Sequence, residues 1–136
     1  MKAQTSTEFV ILTTFMLLVF LVFLLLIQAK MSQSMAEKND ILAQNIMDKV
    51  IGEIRLAESV SDGYERTFNL PVFLENGIPY KISINIYPIQ GGEIVMTYEN
   101  KEKIYFFDSY MSSASNIDLG NNLIRKTNGI ITIQKI

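Results

Sequence analysis

The spacing of hydrophobic positions divides this chain into three stretches. From Phe9 to Ile27 it is continuous: nineteen uncharged residues, seventeen of them large and apolar, with Thr13 and Thr14 as the exceptions. From Gln28 to Ser61 apolar residues recur at helical intervals, at Met31, Met35, Leu42, Ile46, Val50, Ile54 and Ala57. Asn39 fills the gap, and Glu37, Lys38, Asp40, Asp48, Lys49, Glu53 and Glu58 take other faces. After Gly63 the period falls to two, as in Ile82, Ile84 and Ile86 against Lys81, Ser83 and Asn85. The pattern predicts an apolar helical rod, an amphipathic helix and a small antiparallel β-sheet domain, an α+β layout.

A helix rises about 1.5 Å per residue, so the Phe9–Ile27 rod spans about 29 Å, close to the hydrocarbon thickness of a bilayer. Burying one large apolar side chain is worth about 1.5–3 kcal/mol, so leaving all of them in water would cost about 25–50 kcal/mol. That exceeds the net stability of a domain, and the rod belongs in lipid or inside an assembly. A cleaved secretory signal fits poorly. The apolar stretch is too long, Glu8 sits where a positive leader belongs, and Ile27-Gln28-Ala29 lacks a small residue at its first position.

The rod and the amphipathic stretch are expected to form one helix from about Thr5 to Val60, about 84 Å long, which needs partners along its length. Gly52 marks a mild bend or a close contact. Ser61-Asp62-Gly63 ends the helix, with Gly63 as a left-handed cap. Beyond it the expected strands are Phe68–Leu74, Tyr80–Tyr87, Glu93–Tyr98 and Lys103–Phe107. They form a four-strand meander turned at Asn76-Gly77, Gly91-Gly92 and Asn100-Lys101. Pro71 places the first of them at an edge or bulge. Asp108–Asn128 reads as loop with a short helix near Leu119–Lys126, and Gly129–Lys135 as a final strand. The pattern thus divides the chain at residues 27 and 61, into an N-terminal apolar segment, an amphipathic helix over 28–61 and a sheet domain over 62–136.

Composition narrows the function classes. The chain has 12 basic and 14 acidic residues, with no basic stripe, so no nucleic-acid partner is expected. Cysteine and histidine are absent, and no Asn-x-Ser/Thr sequon occurs. Disulfides, thiolate metal sites, thioether lipid anchors and glycosylation at that motif are therefore excluded. Asp108, Ser109 and Tyr110 stand together without a histidine base, and the Asp118 region lacks the acidic spacing of a calcium loop. No catalytic residue, metal or cofactor is expected.

The candidate chemistry lies at the lip of the rod. Thr5-Ser6-Thr7-Glu8 fits a capping box, with Thr5 as N-cap and Glu8 as the third helical residue, a carboxylate suited to the positive helix end. A second reading rests on resemblance. Lys2-Ala3-Gln4-Thr5-Ser6-Thr7-Glu8-Phe9, running into the rod, resembles the class III signal peptide of archaeal type IV pilin-like proteins. The register matches at Gln4, Ser6, Glu8 and Phe9, and Ala3 stands where Gly is the commoner residue.

The resemblance covers Lys2 to about Ile27 and implies a pilin-like fold. A prepilin peptidase would cut between Ala3 and Gln4, making residues 1–3 a leader, residues 4–27 the transmembrane and filament-core helix, and Glu8 the fifth mature residue. Glu8 would pair with the new amine on Gln4 of a neighbouring subunit and set axial register. Phe9, Phe15, Leu18, Val22 and Leu25 would pack in the filament core. The partners would be the peptidase, the membrane before assembly, and copies of the chain itself. The implied function is a structural subunit of a surface filament serving adhesion. The alternative is a single-pass, membrane-anchored binding or sensor domain that does not polymerise and uses Glu8 only as a cap.

Overall fold

A computed structural model describes the backbone of residues 2–75 and 77–136, with side chains from Thr7 onward. Among the described residues one helix, α1 (Lys2–Ser59), precedes six strands: β1 (Glu65–Leu70), β2 (Tyr80–Ile86), β3 (Gly92–Tyr98), β4 (Lys101–Phe107), β5 (Gly120–Thr127) and β6 (Ile130–Lys135). The α+β layout is the expected one. The chain divides into two compact units, one reaching to Lys38 and the other, the head, Asn39–Ile136.

The strands form two three-stranded antiparallel sheets, ordered β1-β5-β6 and β2-β3-β4, in place of one meander. Segment 119–126 is strand rather than helix: β5 pairs β1 with Leu70 opposite Gly120, and pairs β6 with Ile124 opposite Ile133. Asn128-Gly129 closes the β5–β6 hairpin with φ of 52° and 77°, the doubly left-handed turn that suits strand twist. Glu99-Asn100 does the same for β3–β4, with φ of 46° and 63°, one residue earlier than expected. The Asn76-Gly77 turn does not join strands of one sheet. Asn76 lies outside the described residues, and the reversal there pairs only Phe73 with Pro79. β1 stops before Pro71, which has no N–H to extend a ladder.

One apolar core joins the head. Ala43, Ile46, Met47, Val50, Ile51, Ile54 and Ala57 of α1 bury against Phe68, Leu70, Ile124, Ile131 and Ile133 of one sheet and Ile82, Ile94, Met96 and Phe107 of the other. Alternation sets this up: Ile94, Met96 and Tyr98 point inward along β3 while Glu93, Val95 and Thr97 are only half-buried. Glu53 is a correction, because it lies on the buried face rather than an outer one. It stands three residues after Val50 and four before Ala57, which places it on their stripe. Arg66 approaches its carboxylate at 3.5 Å, limiting the cost of the buried charge. Gly52 makes no close contact, for a Cβ there would meet nothing within 4 Å.

Polar groups fasten the edges of the core. At one end Asn39 Nδ2 donates to Glu99 Oε1 (3.1 Å), and Tyr98 Oη and Lys101 Nζ both donate to Asp40 Oδ1 (2.9 and 2.8 Å). The β3–β4 turn is thereby clamped to α1. At the other end Lys126 Nζ donates to the carbonyls of Glu58 and Val60, both at 2.8 Å, and satisfies acceptors that the helix end leaves open. Gly63 is left-handed at φ 89°, but it serves the turn into β1 rather than capping α1, and its N–H donates to the Lys126 carbonyl. Fully buried Asn122 donates to the carbonyls of Asp118 and Gly120 and accepts from the Asp118 N–H, which fixes the entry to β5.

The clamp makes stability depend on pH at both extremes. Burial, and then the hydrogen bond to Asp40, pushes the Tyr98 hydroxyl up to about 12. Burial does the same to Tyr80, whose hydroxyl donates to the Pro71 carbonyl. Both keep their protons longer folded than unfolded, where the value is 10.0, so their contribution is complete below pH 10 and lost as pH rises towards 12. Hydrogen bonds from Lys101 and then Tyr98 hold the Asp40 carboxyl below its ordinary 3.8, so its contribution is present at neutral pH and lost as pH falls through the lowered value. Thermal melts of the full chain in detergent should show Tm falling above pH 10, with a shallower fall in Tyr98→Phe. Asp40→Asn should flatten the acid limb. In the same melts Ile133→Ala, which empties a fully buried position, should destabilise the head by about 2–5 kcal/mol.

Candidate assembly surface

The N-terminal unit is built from α1 alone, and its large apolar side chains from Phe9 to Ile27 are exposed. From Phe9 to Ile27 no proline or glycine interrupts the ladder. The two polar side chains are satisfied within it: Thr13 Oγ1 donates to the Phe9 carbonyl and Thr14 Oγ1 to the Val10 carbonyl, each at 2.8 Å. This back-bonding lets hydroxyls enter a hydrocarbon environment without an unpaired donor. The result is a helix long and apolar enough to cross a membrane, with none of its apolar window buried.

The expected core residues Phe9, Phe15, Leu18, Val22 and Leu25 are 49% to 69% exposed. At about 100° per residue, Phe15, Leu18, Val22 and Leu25 form one stripe, while Phe9 lies at least about 120° away from it. The helix brings the four together and leaves Phe9 to another neighbour. The apolar surface also continues past the rod, where Met31 and Met35 are exposed, although their spacing matches that of the buried positions farther along.

Glu8 is exposed, and among the described residues it forms no ion pair. The capping box is not seen: α1 begins at Lys2, so Thr5 stands inside the helix and Glu8 lies beyond its first turn. The side chains of Ala3 and Gln4 lie outside the described residues. Their backbone is helical, and Gln4 and Glu8 are one turn apart on the same face.

In the head, Ser109 of the Asp108-Ser109-Tyr110 group and Asp118 of the loop compared with a calcium site each have a structural partner. Ser109 is buried and its hydroxyl donates to Glu58 Oε1, while Asp118 accepts from Lys135 Nζ at 2.6 Å. No protein-family model matches the chain, and comparison with curated proteins and with solved structures yields no match.

The exposed rod carries its own expectation. The full chain should resist alkaline extraction from membranes. Leu21→Arg, with a charge at mid-rod, should reduce insertion by about 2.5–3.5 kcal/mol, read as a drop in the carbonate-resistant fraction.

Proposed function

We propose that this chain is a non-catalytic structural subunit of a type IV pilus-like surface filament, serving adhesion. It is made as a membrane-anchored precursor and trimmed by a prepilin peptidase between Ala3 and Gln4. The observation that carries this reading is the Phe9–Ile27 rod, exposed along its whole length, directly behind Gln4, Ser6, Glu8 and Phe9 in the register of that family. Lipid surrounds the rod in the precursor. In the polymer other rods take the place of lipid, with the Phe15–Leu18–Val22–Leu25 stripe as the main contact.

Glu8 then has a defined task. A carboxylate at the rim of an apolar bundle is costly unless paired. Cleavage before Gln4 supplies an ammonium on a neighbouring copy, and the pair fixes the axial register that apolar packing alone leaves loose. The competing reading, a single-pass anchor for a surface binding domain, uses the same rod but leaves Glu8 without a role.

Terminal sequencing of protein sheared from the cell surface should begin at Gln4; a start at Met1 supports the simple anchor. Glu8→Gln should leave membrane insertion unchanged and abolish or shorten the filaments seen by electron microscopy. Normal filaments from that variant would remove Glu8 from the assembly mechanism.

A further inference from the structure

The head carries an apolar projection and an apolar groove at opposite ends of β2. The projection is the β2–β3 loop, residues 87–91, where Ile89 is 92% exposed behind Pro88 and beside Tyr87 and Tyr110. The loop is pinned. Tyr87 N–H donates to the Gly91 carbonyl at 3.0 Å, and Gln90 Nε2 donates to the Asp108 carbonyl at 2.7 Å. Gly91 sits at φ 78°, and a Cβ there would lie 2.4 Å from the Phe107 carbonyl oxygen, so only glycine lets the loop seat on the end of β4. A pinned loop that holds an isoleucine in water is a rigid knob.

The groove lies where β2 begins. Leu42 and Ile46 of α1 form one wall and Pro71, Phe73 and Leu74 the other, enclosing about 320 Å³. The Tyr80 hydroxyl, bonded to the Pro71 carbonyl at 2.5 Å, and the Phe73–Pro79 bridge hold the second wall in place. β2 is seven residues long, which separates knob and groove by about 20 Å. They cannot meet within one head.

A knob and a hole at opposite ends of one molecule make a heterologous contact, which repeats without closing unless the rotation between copies forms a ring. Charge favours the same partner. Asp108 adjoins the knob, and Lys49 lines the groove with its ammonium on the Asn69 carbonyl. Among the described residues neither forms an ion pair. Glu75 also lines the groove.

We infer that the Pro88–Ile89 knob of one copy seats in the Leu42–Phe73 groove of the next, with Asp108 facing Lys49, as a head-to-tail contact along β2. The inference rests on the reading of this chain as a self-associating subunit, and the two fail separately. The chain has no cysteine, so engineered pairs report cleanly. Full-length Ile89→Cys and Asn45→Cys chains, both altered at exposed positions, are co-expressed, and native membranes and any surface filaments are oxidised together. A disulfide-linked dimer is expected on non-reducing gels, above a control pairing Ile89→Cys with Gln134→Cys on the outer face of the other sheet. Adding Asp108→Lys to the first chain should lower its yield roughly fivefold, and adding Lys49→Asp to the second should restore it. Microscopy of the same cells reads polymerisation separately. Dimer yield no higher than the control overturns the contact, whether or not filaments form. A specific dimer supports it even without filaments, in which case the filament reading falls alone.

Discussion

The seventeen large apolar side chains of the rod are all left exposed. A soluble fold meets this problem by wrapping chain around such a segment. Here the rod satisfies its backbone and the hydroxyls of Thr13 and Thr14 internally and leaves the apolar surface for something else to cover. A bilayer can do so, and so could like helices in the proposed filament, because both offer hydrocarbon and neither demands a hydrogen bond. The environment therefore decides the state of this half of the molecule.

The head solves the opposite problem. With fewer than a hundred residues it must bury enough apolar surface to stand alone, and it does so by sharing α1 between two small sheets. Neither sheet has more than three strands, and each relies on α1 to cover its inner face. Polar side chains work at the margins of this core: Asp40 and Asn39 hold the β3–β4 turn, Lys126 holds the helix end, and Asn122 holds the entry to β5. The proposed filament needs such a body, stiff enough that contacts made by one head pass to the next.

Much of this was legible in the chain. The rod and the helical period behind it are strong, regular signals, and the alternation in β2 and β3 marks them as strands. Sheet membership was not legible, because alternation along one strand marks its buried face and not its partner. Pro71 breaks the run after β1, which frees β1 to pair with β5, more than fifty residues away. The strand at β5 was hidden by Asn121, Asn122, Arg125 and Lys126 among its few apolar residues. Asn122 is buried by satisfying its own turn, which no periodicity reveals. The Asn128-Gly129 dipeptide was the available clue, since a tight hairpin turn before β6 requires a strand on its other side. At the candidate surface the apolar rod was readable. The Ile89 knob and its groove were not, because the groove assembles from residues about thirty apart.

The lysine that closes α1 has a bearing on how the molecule is made. Lys126 reaches Glu58 across 68 residues, and the β3–β4 turn reaches Asp40 across about sixty. Both are slow, non-local closures. Synthesis completes the amphipathic stretch well before the strands that cover positions 43 to 57. Its apolar face stays uncovered for that interval, until the β5–β6 hairpin brings Ile124, Ile131 and Ile133 against it.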